Sequence, residues 1–89
     1  MSDVGTTAIA AAVRTALAGG LGVDESSLAL RTELYDELGA DSIAVMEVLC
    51  RLEDQLGIEL PESNSFAIEL RTVGDVVEAF QSRAKRSTV

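Results

Sequence analysis

The chain has 89 residues, enough for one domain with one hydrophobic core. Its hydrophobic fraction of 47% is ordinary, but with two phenylalanines, one tyrosine and no tryptophan the core must be aliphatic. All fifteen acidic residues precede residue 79, whereas three of the seven basic residues follow residue 82, so residues 1–82 carry a net charge of −11. Such a charge argues against nucleic acid and anionic membranes as partners and favours basic partner proteins.

The cysteine and histidine content excludes further classes of site. A single cysteine cannot form an internal disulfide, and a chain without histidine has no metal site of Cys/His spacing. The longest apolar run, residues 8–13, is too short to span a membrane, and the first seven residues do not resemble a signal peptide. We therefore expect a monomeric cytoplasmic protein in a reducing compartment, without membrane association.

The first helix is predicted over residues 7–18, after a loose segment over residues 1–5. Thr6 and Thr7 are suitable N-caps, and Gly19-Gly20 is a suitable stop. The apolar residues of this helix recur every four positions: Ile9, Val13 and Leu17.

A connection over residues 20–40 follows, with no long apolar period. An irregular loop of this length is uncommon in a compact domain, so we expect apolar side chains to anchor it, with helical turns near residues 24–28 and 35–38. The expected anchors are Leu21, Val23, Leu28, Leu30, Leu34 and Leu38.

The second helix is predicted to begin near Ser42 and to end at Gly57. Asp41 and Ser42 are residue types that start helices, because a short side-chain oxygen can accept from unpaired N–H groups of the first turn. One face has helical spacing and is predicted to be core: Val45, Val48, Leu49, Leu52 and Leu56.

A neighbouring face of this helix, which we call the partner strip, displays apolar and acidic side chains beside the helix start. Its members are Ile43, Met46, Glu47, Cys50 and Asp54, with Glu53 at its edge. Two simpler interpretations stay open, since Ile43 could pack on Leu38 or Leu60 and the acids could form an ordinary solvated face. Cys50 is expected to be half-buried and unreactive.

After the second helix, residues 58–61 are predicted to be extended, with Leu60 packed inward. A short third helix is predicted over residues 66–70, capped by Asn64 or Ser65. Thr72 and Asp75 form a capping box that opens a final amphipathic helix. Its apolar stripe contains Val73, Val76, Val77 and Phe80, and residues 83–89 are predicted to form a basic mobile tail.

Three motifs together resemble the acyl carrier protein family. They are LGADSI with Glu47 five positions after the serine, the ELPE that follows the second helix, and the TVGD that opens the last one. The resemblance covers roughly residues 6–82, which would form the carrier domain. It implies an all-α fold, a small four-helix bundle with a long first loop and a short third helix.

The resemblance also implies a function. Ser42 would carry 4′-phosphopantetheine through a phosphodiester, and Asp41 would be contacted by modifying and partner enzymes. The acidic residues Glu47, Glu53 and Asp54 would meet basic patches on those enzymes. The partners would be a phosphopantetheinyl transferase, an acyltransferase or acyl/aminoacyl ligase, and a ketosynthase or other biosynthetic enzyme. The protein would be a discrete carrier of thioester-linked acyl intermediates in polyketide or fatty-acid-type biosynthesis.

Other functions are weighed against this one. Ala44, where the family often has an acidic residue, leaves a peptidyl or aminoacyl carrier open, and a non-modified acidic adaptor is a further alternative. An enzyme with Ser42 as nucleophile would need a general base, and the chain has no histidine. The adjacent Asp36 and Glu37 show no means of separating their pKa values for acid–base work. We therefore expect a substrate of partner enzymes, not an enzyme.

Overall fold

The computed structural model describes the backbone of residues 6–60 and 70–87 and the side chains within 8–60 and 70–83. These ranges contain the α-helices α1 (Thr6–Leu21), α2 (Ser42–Leu56) and α3 (Val73–Ser87), and a single 3-10 turn, Glu25–Ser27. Strand pairing within them is limited to an isolated bridge between Glu33 and Thr72. The all-α class is confirmed for this part of the chain.

Several predictions concern residues outside these ranges. The third helix over residues 66–70, with its Asn64 or Ser65 cap, is among them, so a count of four helices is not confirmed. The loose segment 1–5 and the capping side chains of Thr6 and Thr7 also lie outside. Among the described helices, none combines the length and the apolar character needed to cross a membrane.

Helix α1 ends three residues later than predicted. Gly22, with φ of 71°, takes the left-handed conformation that ends the helix, and Val23 N–H donates to Ala18 O at 3.0 Å in a Schellman motif. Gly19-Gly20 is therefore not the stop. At Gly20 the bare backbone lies against the Val48 side chain of α2, where a Cβ atom would collide with Val48 Cγ2. This glycine permits α1 and α2 to pack closely, which explains its place inside a helix.

Among the described residues, the buried core lies between the three helices and is aliphatic apart from Phe80. The predicted face of α2 is confirmed for Val45, Val48, Leu49 and Leu52, while Leu56 is half-buried. Leu60 packs inward as predicted. The fully enclosed side chains are Val13, Leu17, Leu34, Val45, Val48, Leu52, Val73, Val76 and Phe80.

The long loop is held by side chains and by backbone. Leu28 and Leu34 are buried anchors as predicted, and Leu21, Val23 and Leu38 are half-buried. Leu30 is 58% exposed, so the prediction of its side chain as an anchor is wrong. Its backbone carbonyl provides the anchor, accepting from Gly74 N–H at 2.7 Å.

Further backbone hydrogen bonds join this part of the loop to the start of α3. Leu34 N–H donates to Arg71 O at 2.7 Å, and Val73 N–H donates to Thr32 O at 3.0 Å. Together with the bond from Gly74 to Leu30, they form what we call the clasp, between residues 30–34 and 71–74. The clasp fixes the loop along one end of α3.

The predicted turns and the capping box are both present. The 3-10 turn lies within residues 24–28, and in the second predicted turn Gly39 N–H donates to Tyr35 O at 3.2 Å. At α3, Asp75 N–H donates to Thr72 Oγ1 at 3.1 Å and Thr72 N–H donates to Asp75 Oδ2 at 3.2 Å. The carboxylate satisfies an N–H group that the helix itself cannot pair.

Helix α3 extends to Ser87, so residues 83–87 of the predicted tail are helical. Arg83 Nε donates to Glu59 O at 3.2 Å, which ties the helix to the segment after α2. Mobility of the tail stays a prediction.

Truncating a core leucine should destabilise the protein far more than truncating an exposed one. Leu52 is fully buried, and Leu52→Ala should cost about 2 to 5 kcal/mol of unfolding free energy. Leu30→Ala makes the same chemical change at an exposed side chain and leaves the clasp carbonyl in place, so its cost should stay within about 0.5 kcal/mol. Urea unfolding followed by circular dichroism measures both, and equal losses would show that the core face is wrongly assigned.

Two glycine substitutions should change stability in opposite directions. A Cβ atom at Gly74 would lie 2.9 Å from the Leu30 carbonyl oxygen, so Gly74→Ala should destabilise the protein by breaking the clasp. A Cβ atom at Gly19 would meet no atom within 4 Å. Gly19→Ala should therefore stabilise α1 by up to about 1 kcal/mol, because alanine loses less backbone entropy in a helix. Thermal melting of the two variants gives the direction of each change. Stabilisation by Gly74→Ala would contradict the close approach at Gly74, and destabilisation by Gly19→Ala would contradict the open space at Gly19.

Candidate functional site

The start of α2 is built by Asp41. Its backbone is extended, with φ of −107° and ψ of 171°, and its Oδ1 accepts from Ala44 N–H at 2.8 Å. Its carbonyl accepts from Val45 N–H at 3.1 Å. Asp41 is therefore the N-cap, and Ser42 is the first helical residue, half-buried beside an exposed Asp41. The two adjacent residues thus have different positions, one capping the helix and one presenting a hydroxyl at its first turn.

Ser42 lines an open cleft of about 400 Å³ with Glu33, Tyr35, Asp36 and Arg71. Glu33 and Arg71 reach this place through the clasp, where the chain pairs across the Glu33–Thr72 bridge. The predicted site residues did not include Glu33, Tyr35 or Arg71. No sequence motif marks them, because they approach Ser42 only when the long loop pairs with the start of α3.

The cleft has an acidic side. The pKa of Glu33 lies above its ordinary value, first because Glu33 shares a hydrogen bond with Asp36 and then because the Asp36 charge repels its ionised form. The positive charge of Arg71 acts against this rise in the pKa. Burial, and then the charge of Asp41, raise the pKa of Tyr35. Among the described residues that line the cleft, Arg71 is the only basic one.

The acidic loop residues have structural uses. Glu33 N–H donates to Glu37 Oε1 at 2.7 Å, so the Glu37 carboxylate satisfies a backbone group of the loop. Asp36 interacts with Glu33, as described above. The two adjacent acids, Asp36 and Glu37, therefore bind different groups and do not form a paired acid and base.

The partner strip is mostly exposed. Ile43 is 68% exposed, so the alternative in which it packs on Leu38 or Leu60 is wrong. Glu47 and Asp54 are exposed, and Met46 is half-buried against the core. Cys50 is exposed and unpaired, so the prediction that it is half-buried is wrong. The core positions around it belong to Leu49 and Leu52, which leaves Cys50 on the outer side of α2.

Glu53 differs from its acidic neighbours. Its Oε2 accepts from Leu60 N–H at 2.7 Å, so the carboxylate stabilises the segment that follows α2. This carboxylate lines a second, separate depression with Cys50, Asp54, Glu59 and Leu60. Within the described ranges, no cluster of three or more cysteine or acidic side chains could hold a metal ion.

Comparison with known proteins agrees with this arrangement. Residues 11–80 match the family model described as a phosphopantetheine attachment site. The acyl carrier proteins of Clostridium perfringens strains SM101, ATCC 13124 and 13 are each 39% identical to this chain over 62 residues. Each alignment covers 70% of this chain and 79% of the relative.

The match to the family model reaches from α1 to Phe80 of α3 and includes all the described residues that line the cleft. Members of this family are carriers and not enzymes, and they bear a covalent 4′-phosphopantetheine group. The family match, the identity to named relatives and the serine at the capped helix start together show that the chain belongs to the acyl carrier protein family.

Proposed function

We propose that Ser42 is the residue that bears 4′-phosphopantetheine, and that the protein carries thioester-linked acyl intermediates in polyketide or fatty-acid-type biosynthesis. The supporting observation is that Asp41 caps α2 with its own carboxylate. The Ser42 side chain, half-buried on an open cleft, is thereby left at the first turn of the helix. We place this carrier in the cytoplasm, where a lone exposed cysteine stays reduced.

The residues of the cleft fit a phosphodiester on Ser42. The start of a helix favours an anionic substituent, because its partial positive charge and N–H groups face that end. Arg71 adds a full positive charge to the same cleft. When attached, the group supplies a flexible arm with a terminal thiol, on which acyl cargo is held as a thioester.

The chain itself provides no machinery for attaching the group. Ser42 Oγ must lose a proton as it bonds to phosphorus, and a serine hydroxyl needs a positioned base for this. The cleft carboxylates of Glu33 and Asp36 interact with each other, and the chain contains no histidine. A phosphopantetheinyl transferase would therefore supply the base, and later enzymes would supply the chemistry on the cargo.

The partner strip is the proposed docking surface for these enzymes. Its exposed Ile43 can enter an apolar pocket, and Glu47 and Asp54 lie seven residues apart, about 10 Å along the helix. Asp41 is exposed at the same end. Glu53 would contribute less, because its carboxylate already accepts from Leu60 N–H. Met46 would also contribute less, because its side chain packs against the core.

The alternative cargo is an aminoacyl or peptidyl group. Ala44 favours this alternative cargo. Many acyl carriers have an acidic residue at this position in the first turn of α2, whereas this chain has a small one. The relatives from Clostridium perfringens are acyl carrier proteins, which favours the acyl cargo. Loading the holo protein with candidate ligases and acyltransferases would identify the cargo by mass.

Replacing Ser42 with alanine should abolish attachment and leave the fold intact. Incubation with coenzyme A, magnesium and a broad-specificity phosphopantetheinyl transferase should add the mass of one phosphopantetheinyl group to the native protein. Ser42→Ala should gain nothing in the same reaction. Because Asp41 keeps the cap, the unfolding free energy of the variant should change by no more than about 0.5 kcal/mol.

Two results would count against the proposal. A native protein without any mass gain would favour the non-modified adaptor. A gain that survives Ser42→Ala would move the attachment elsewhere. Circular dichroism of both proteins confirms that any lack of reaction is not caused by unfolding.

Reversing one charge on the partner strip should weaken partner enzymes. Glu47→Lys removes an exposed carboxylate and places a repelling charge opposite a basic patch, so both the association rate and the affinity should fall. The deficit should shrink as salt rises, because screening already weakens the native contact. Loading of cargo onto the holo protein by its own enzyme, at low and high salt, measures this.

Glu78→Lys is the matched control. Glu78 is exposed on α3, outside the cleft and the partner strip, and its reversal changes the net charge by the same amount. Its loading rate should stay close to that of the native protein. Equal defects in the two variants would show that only the overall charge matters and that the strip is an ordinary solvated face.

A further inference from the structure

The backbone of Arg71 is fixed by the fold, whereas its side chain is exposed on the cleft. Its carbonyl accepts from Leu34 N–H at 2.7 Å, and its N–H donates to Asp75 Oδ2 at 2.9 Å. The clasp and the capping box therefore fix where Arg71 lies. The side chain is exposed, and its positive charge acts on Glu33 in the cleft. Arg71 is thus held in position by its backbone while its charged end is available on the cleft.

The cleft needs a positive charge once a phosphodiester is attached. Glu33 and Asp36 line it, and Asp41 lies beside Ser42, so a second kind of anion would enter a region already rich in carboxylates. Glu33 and Asp36 already repel each other. Among the described residues that line the cleft, Arg71 alone can offset an added negative charge.

The chemistry of the guanidinium suits this ligand. Its planar fork can donate two parallel hydrogen bonds to two oxygens of one phosphate, which an ammonium group cannot do. The two non-bridging oxygens of a phosphodiester present this pattern.

We propose that Arg71 binds the phosphodiester that joins the prosthetic arm to Ser42, and so holds the first part of the arm over the cleft. The proposal rests on the proposed attachment at Ser42. Arg71 is a positioning residue in this role, since it acts on the anchor of the arm and not on the cargo. The remaining length of the arm stays free to reach partner enzymes.

The test uses the holo form of the whole protein and three variants. Arg71→Ala removes the charge and the fork, and Arg71→Lys keeps the charge alone. Arg51→Ala, at an exposed arginine of α2 that does not line the cleft, removes the same charge elsewhere. Each protein is converted with coenzyme A and transferase until intact mass shows complete loading. Since the Arg71 side chain is exposed, every variant should stay folded, and its thermal melting curve checks this.

The readout is the phosphorus-31 resonance of the single phosphodiester. In the native protein it should relax faster than in Arg71→Ala, because contact with Arg71 restrains the phosphate. An exposed charged contact of this kind changes the ratio of bound to free arm by about two- to five-fold. The phosphorus relaxation rate of Arg51→Ala should match that of the native protein. The rate of Arg71→Lys should fall between those of the native protein and Arg71→Ala. High salt should move the native value toward that of Arg71→Ala and leave Arg71→Ala unchanged.

A second measurement observes Arg71 directly. The nitrogen-15 resonance of its Nε should shift on conversion from apo to holo protein, while that of Arg51 should not. Equal phosphorus relaxation in the fully loaded native, Arg71→Ala and Arg51→Ala proteins, or an unshifted Arg71 Nε, would overturn the inference and leave Ser42 as the attachment residue. Failure of the native protein to load would instead overturn the proposed function, and this inference with it.

Discussion

The arrangement of the site depends on the backbone pairing between the long loop and the start of α3. Without it, residues 22–41 would be a connection between α1 and α2 held mainly by the buried side chains of Leu28 and Leu34. The hydrogen bonds from Leu34, Val73 and Gly74 give this loop a register. Because the pairing uses main-chain groups, the exposed side chains of Glu33 and Arg71 are available for other uses.

Much of the local structure follows from the sequence. The limits of α2, the Thr72–Asp75 capping box and the inward face of α2 could all be predicted, because each depends on residues three or four positions apart. Local chemistry decides these features, so a single sequence contains the information. The attachment serine is different, because the resemblance of the LGADSI motif to the acyl carrier protein family singles it out and local spacing does not.

The failures have a common physical cause, which is tertiary packing. Gly19-Gly20 is typical of a helix end, yet the Gly20 backbone packs against the Val48 side chain and α1 continues to Leu21. Leu30 reads as an anchor, although its carbonyl makes the contact and its side chain stays in solvent. Arg71 and Glu33 could not be assigned to the cleft for the same reason, since about 40 residues of chain separate them and neither position is marked by a motif. Cys50 reads as partly buried because cysteine is among the residue types most often found inside proteins.

The composition of the core has a practical consequence at the cleft. The chain has no tryptophan and a single tyrosine, and that tyrosine, Tyr35, lines the same cleft as Ser42. Nearly all of the protein's intrinsic near-ultraviolet fluorescence therefore comes from one ring beside the attachment residue. Its emission is sensitive to nearby carboxylates and to the exclusion of water. The protein thus contains its own optical label, at the point where the arm is anchored, and changes there can be followed in solution without an added dye.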